Sequence, residues 1–128
     1  MQRRRFLRAL LGATGAVATP IAAQALGERK TLIQRSAVAG LQYHDAKHVW
    51  GNLRVDDRLT LVREPHNRFD GQAVAVHWRD AKLGYLRRVD NTAVSQMLDQ
   101  GEALRARIAE LRDTDHAWEK IWVSVELV

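Results

Sequence analysis

The 128-residue chain contains no cysteine. That absence excludes a disulfide scaffold, a thiolate zinc site, an iron–sulfur cluster and a cysteine nucleophile. With two prolines and eight glycines it is neither collagen-like nor a linker. No serine sits in a G-x-S-x-G elbow, so the usual serine-hydrolase context is missing. The chain is too short for a (β/α)₈ barrel of ~250 residues, and no ATPase engine would fit. What is present, 46% hydrophobic and 27% charged residues, is the composition of one ordinary globular domain.

The formal charge of +5 is unevenly placed. Arg3, Arg4, Arg5 and Arg8 fall in residues 1–25 with no acid, so 16 of the 20 Lys+Arg residues remain against all 15 Asp+Glu in 26–128. The folded part is therefore close to neutral, and the high pI belongs to the N-terminus. Within that part the charge is segregated. Residues 63–88 carry Arg63, Arg68, Arg79, Lys82, Arg87 and Arg88 against Glu64, Asp70 and Asp80, whereas residues 90–119 are acidic.

Residues 1–25 read as an address. Arg3 to Arg8 form a positive segment, Ala9 to Ala18 are weakly apolar, and Ala23-Gln24-Ala25 is a small-x-small cleavage pattern. Arg3-Arg4-Arg5-Phe6-Leu7-Arg8 resembles the twin-arginine export motif, R-R-x-F-L-K/R. The expectation is a signal helix outside the fold, removed on export to the periplasm or beyond. Cysteine-free chemistry suits that oxidising compartment. An uncleaved membrane anchor is the alternative: the uncharged run 9–27 is long enough to span a bilayer but is Ala- and Gly-rich. Residues 26–33 read as a leader and 34–128 as the domain.

Along the domain, residues 31–41 are strand-like and 42–56 form a long polar connection. Residues 58–63 alternate as a strand, and Glu64 to Gly71 carry Pro, Asn, Asp and Gly, each a turn former. Residues 72–78 and 82–86 read as a hairpin. Asp90 is placed to cap a helix over 91–100 that Gly101 ends. Residues 103–111 and a last strand holding Trp118, Ile121, Val123, Val125 and Leu127 complete the order, with an irregular step near Lys120. Mostly β structure with one or two helices in about 100 residues predicts a small β-barrel with a covering helix.

The stretch Leu61-Val62-Arg63-Glu64-Pro65-His66-Asn67-Arg68-Phe69-Asp70-Gly71-Gln72-Ala73-Val74-Ala75-Val76, followed by Leu83-Gly84-Tyr85-Leu86, resembles the HIRAN domain pattern R-E/D-P-x-N-P-Y-D-x-N-A-I-x-V then V-G-Y/H-L. Val38-Ala39-Gly40-Leu41-Gln42-Tyr43 fits the family's first strand and aromatic exit. The resemblance spans roughly residues 34–127. It implies an OB-like barrel. It also implies a module that, in eukaryotic DNA-repair translocases, holds the 3′ end of single-stranded DNA by aromatic stacking and an Asp on the terminal hydroxyl. On that implication Asp70 takes the hydroxyl, Phe69 the neighbouring aromatic place, and Tyr43 and His44 the aromatic pair. Here Arg68 replaces the family Pro, Phe69 a Tyr, His44 an aromatic and Gln72 an Asn, and Gln42 stands where Arg is frequent.

A nucleic-acid surface needs stacking rings and a basic track. The candidate residues are Tyr43, His44, Arg63, Asn67, Arg68, Phe69, Asp70, Lys82, Arg87 and Arg88. The bland alternatives are a solvated barrel surface for the cations, a turn staple for Asp70 and Asn67, and core positions for Phe69, Tyr85, Trp78, Trp118 and Trp122. His44, Asp45 and His48 form an H-D-x-x-H cluster, a weak metal candidate that would need a helix to bring both rings to one face. No cofactor is implied and no catalytic residue is expected. The reading is an exported binding module for single-stranded DNA or its 3′ end. An envelope protein-interaction domain that keeps the barrel without end recognition is the alternative, and a metal-dependent hydrolase of phosphate compounds the third. The membrane enters only through an uncleaved signal segment, and the oligomeric state is not legible.

The address is tested directly. Replacing Arg3 and Arg4 together by Lys is expected to strand the precursor in the cytoplasm, as read by cell fractionation. Unaltered export by the same route would sink the twin-arginine assignment.

Overall fold

The computed structural model describes residues 31–116 and 119–128. The expected signal helix, most of the leader and Trp118 lie outside them. Six strands, β1 (Thr31–Ala39), β2 (Arg58–Arg63), β3 (Val74–Trp78), β4 (Ala81–Leu86), β5 (Leu104–Leu111) and β6 (Ile121–Leu127), close into an antiparallel barrel in the order β1-β4-β3-β2-β5-β6. A four-residue helix α1 (Ala46–Val49) and an eight-residue helix α2 (Thr92–Asp99) complete it. The expected small barrel with one or two helices is what the chain forms.

Closure depends on two strands that change partner. β1 pairs with β6 from Thr31 to Ala37 and then with β4 at Val38 and Ala39. β2 pairs with β5 at Arg58 and Leu59 and with β3 from Thr60 to Arg63. Thr31 to Ile33, read above as strand-like although placed in the leader, are strand. The irregular step expected near Lys120 depends on Trp118, which lies outside the described residues; register shifts occur at Leu32/Gln34, Val76/His77 and Ile108/Glu110. The second gives β4 an extra residue, so that Leu83 and Leu86, three apart, are both buried.

Alternation supplies the core. Val74, Val76 and Trp78 of β3 point inward with Ile108 of β5 and Ile121, Val123 and Val125 of β6. The indole of Trp78 is satisfied by donating to Asp57 Oδ2 at 2.9 Å. Val94 of α2 is fully buried against this core, with Leu98 packed at its edge.

Three local expectations are corrected. The polar connection 42–56 is not a plain loop: 3₁₀ turns at Leu41–Tyr43 and Trp50–Asn52 flank α1. Asp90 does not cap α2, because it closes a 3₁₀ turn over Arg88–Asp90 and Asn91 precedes the helix. Trp122 is only half-buried; its Nε1 donates to the Glu119 carbonyl at 3.0 Å and the Arg112 guanidinium lies 4.9 Å from its ring centroid.

The seam between β1 and β4 is the tightest place in the barrel. Gly84 sits beside Ala39, and a Cβ there would run into the Ala39 carbonyl oxygen and the Val38 side chain. Its φ of +158° adds to the requirement. Gly84→Ala is therefore expected to destabilise the protein by about 2 kcal/mol or more. The midpoint of urea unfolding reads the effect, and an unchanged midpoint would contradict this account of closure.

Candidate functional site

A groove of about 650 Å³ lies where the barrel seam meets two loops. Its floor is the outer face of β1 and β4, where the outward residues are small or polar: Ala39, Gly40 and Tyr85, with Ala73 beside them. Gly40, at φ +78°, turns the chain out of β1 into the Leu41–Tyr43 turn. That turn places Tyr43 and His44 on one wall. The 64–73 loop supplies the other with Asn67, Arg68, Phe69 and Asp70, and Arg88 lies at the rim.

The 64–73 loop is held from within. Asn67 Oδ1 accepts from the backbone N–H of Phe69 at 2.9 Å and of Asp70 at 3.1 Å. Asp70 Oδ1 accepts from Gln72 N–H at 2.9 Å, and its Oδ2 accepts from the amide of Asn91 at 2.8 Å. These bonds turn Phe69 outward. Phe69 is 76% exposed and Tyr43 is 79% exposed, so both present a face to solvent. The core alternative for Phe69 is thus overturned: a turn tip fixed by two Asx bonds cannot also reach the barrel interior. The Arg68 guanidinium lies 5.4 Å from the Phe69 ring centroid.

Beneath the groove lies a polar hub. Lys82 Nζ donates to Glu64 Oε2 at 2.8 Å and to the Tyr85 hydroxyl at 2.6 Å. The hydroxyl donates to Glu64 Oε1 at 2.8 Å, and Asn67 Nδ2 reaches the same oxygen at 3.1 Å. Burial alone would push the Glu64 carboxyl up, but the bonds from Lys82, Tyr85 and Asn67 outweigh it and bring it down to about 2. Lys82 is raised: its bonds to Glu64 and Tyr85 overcome its own desolvation. Tyr85 is therefore not a plain core ring. His44 meets it edge-on at 5.5 Å. Burial, then the Lys82 ammonium, lower the His44 pKa, so its ring is neutral at pH 7.

Asp70 stays ionised. The Gln72 N–H lowers its carboxyl most; desolvation opposes this, and Asn91, Arg88 and Arg63 add to the lowering. The carboxylate is thus a turn staple, as one reading had it. Each of its oxygens still has an acceptor site, because two lone pairs meet one donor.

The proposed basic track divides. Arg68 and Arg88 line the groove and are exposed. Arg87 is exposed, with a loose contact to Asp90 at 3.7 Å. Arg63 and Lys82 are not brought to the groove. Arg63 Nε donates to Asp99 Oδ1 at 2.9 Å, and its two terminal nitrogens donate to the Ala73 and Gly71 carbonyls at 2.9 Å each, tying the loop to the end of α2. Lys82 belongs to the hub. The metal candidate dissolves: Asp45 is the residue before α1, His44 has an extended backbone outside it, and no group of three potential ligands gathers among the described residues.

The pattern missed Ala39, Gly40 and Ala73, whose smallness makes the groove concave, and Asn91, which docks on Asp70. The only local signal for the first three was small residues at or next to strand ends: Ala39 ends β1, Gly40 follows it and Ala73 precedes β3. Asn91 had none.

The HIRAN domain family model matches residues 33–127. The chain belongs to the HIRAN family. Among solved structures, a protein from Lactobacillus plantarum is similar at 29% identity and a TM-score of 0.64, over 77% of this chain and 97% of that one. The HIRAN domain of human HLTF shares the fold at 18% identity and a TM-score of 0.58, over 76% of this chain and 78% of that one. No curated protein matches the sequence. The 64–73 loop, within the stretch that resembles the HIRAN pattern, thus forms one groove wall, and Gly84, in the Leu83–Leu86 part of that pattern, is the residue that lets the barrel close.

The hub predicts a pH dependence. Because the folded Glu64 carboxyl lies at about 2, below its ordinary 4.5, its stabilisation is present above pH 4.5 and is lost as pH falls toward 2. In Glu64→Gln the urea midpoint should fall less steeply over that window than in the wild type. Parallel curves would show that the hub contributes nothing.

Proposed function

We propose that this HIRAN protein binds the 3′ end of single-stranded DNA, without catalysis, in the groove between Tyr43 and the 64–73 loop. One observation carries the reading: an ionised carboxylate with spare acceptor capacity, Asp70, shares a groove with two highly exposed aromatic rings. A terminal hydroxyl donates to a carboxylate in a charge-assisted bond. A 3′-phosphate in the same place meets like charge instead. Tyr43 and Phe69 offer π-faces to bases whatever the sequence. Arg68 and Arg88 supply cations for phosphates. Family membership supports the reading through the nucleic-acid-binding role that the HIRAN resemblance implies. Phe69 in place of Tyr keeps the stacking face, and His44 in place of an aromatic keeps a planar ring. Arg68 in place of Pro adds a cation.

The domain's near-neutral charge limits long-range attraction, so affinity rests on stacking and on the end contact. The two arginines of this groove should contribute only about 1.4 to the slope of log Kd against log salt. The export reading of residues 1–25 belongs to the same proposal, which places the DNA outside the cytoplasm.

The test is fluorescence anisotropy with labelled single-stranded oligonucleotides ending in a 3′-hydroxyl or a 3′-phosphate. The hydroxyl end should bind about tenfold more tightly. Asp70→Ala should bring the ratio close to one. It should also lower the melting temperature, since the Gln72 and Asn91 bonds are lost. Equal binding of both ends by the wild type would refute end recognition, and no binding at low salt would move the groove to a protein ligand.

A further inference from the structure

A second groove, of about 410 Å³, opens on the far side of the Leu41–Tyr43 turn. It is lined by Leu41, Gln42, Ala46, Lys47, Trp50 and Lys120. The 64–73 loop takes no part in it. The two grooves are separated by a single turn: Gly40, Tyr43 and His44 line the first, while the intervening Leu41 and Gln42 line the second.

We propose that the second groove holds the next nucleotides of the same single strand, with Trp50 as the stacking platform and Lys47 and Lys120 as phosphate contacts. The proposal rests on the end-binding reading and extends it in the 5′ direction.

Three features support this occupant. The first is chemistry. The groove combines an indole face with two ammonium groups, and among the described residues neither lysine is in a salt bridge. Stacking on an aromatic flanked by cations is how proteins hold single strands without reading sequence. The second is the present state of the ring. Lys120 Nζ lies 5.2 Å from the Trp50 ring centroid, a cation–π contact. A base can take that place while the flexible four-carbon stem of Lys120 carries the ammonium to the adjoining phosphate. The third is rigidity. Ala46 is buried, the Asp45 N–H donates to the Lys82 carbonyl of β4 at 3.0 Å, and the Leu53 N–H closes on the Trp50 carbonyl at 3.2 Å. The segment carrying Trp50 is thereby fixed to the same strand that carries Tyr85 under the first groove. Gln42, at the shared wall, adds an amide able to donate to a phosphate or accept from a base.

The experiment compares a dinucleotide with an octanucleotide, both ending in a free 3′-hydroxyl, on the wild type, on Trp50→Ala, and on the double variant Lys47→Gln/Lys120→Gln. The wild type should bind the octanucleotide on the order of tenfold more tightly than the dinucleotide. Trp50→Ala should lose most of that gain, with dinucleotide affinity and the preference for hydroxyl over phosphate ends unchanged. Trp50→Phe should keep it. The double variant should lower the salt slope for the octanucleotide by about 1.4, two cations at about 0.7 each, and leave the slope for the dinucleotide alone. A wild type that binds the dinucleotide but gains nothing with length overturns this extension alone. A Trp50→Ala variant that weakens both lengths equally also overturns it, because the role is then structural. Absence of binding at either length overturns the end-binding reading and this extension together.

Discussion

β1 leaves β6 and joins β4 within two residues, and the place where it does so, Ala39 against Gly84 and Tyr85, admits no side chain at position 84. Everything at the groove hangs on that contact. It brings the end of β1 over β4, so that Gly40 turns the chain outward directly above Tyr85. It then sets His44 edge-on to the Tyr85 ring and leaves Tyr43 in solvent. A barrel closed one residue away would carry the same loops with a different floor.

The second constraint is electrostatic. Glu64 opens the motif turn and is bonded by groups from β4, Lys82 and Tyr85, and from its own loop, Asn67. Asn67 then passes this order outward, holding the backbone amides of Phe69 and Asp70. The exposed ring and the ionised carboxylate are therefore fixed from below by a half-buried ion pair, and the loop reaches a ligand already shaped. Such preorganisation lowers the ordering cost of binding. Arg63 does the same from the side by clamping two loop carbonyls to the end of α2.

Much of the fold was legible. The strands over 58–63, 74–78, 81–86 and 104–111 follow from period-two alternation and the turn residues between them, and α2 from its apolar spacing and Gly101. The connection 42–56 was not, because its helical pieces are three or four residues long and have no periodicity to display. At the groove, Tyr43 in its polar surroundings and the Asn67-x-x-Asp70 pattern could be read directly. Phe69 could not be placed, since an aromatic in a turn has the same local sequence whether it packs or projects. The cations misled for a similar reason. Residues 63–88 look like a basic track, but Lys82 meets Glu64, 18 positions away, and Arg63 meets Asp99, 36 away.

The sequence by itself determined the barrel, the family and the turn that carries Asn67, Phe69 and Asp70, because alternation, turn chemistry and motif spacing are local properties of the chain. Only the tertiary structure decided which charges remain for a ligand, that Asp70 is braced by Asn91, and that Trp50, Lys47 and Lys120 share a groove beside the first. Those are meetings between segments far apart in sequence. They are fixed by barrel closure and register, which no local pattern encodes.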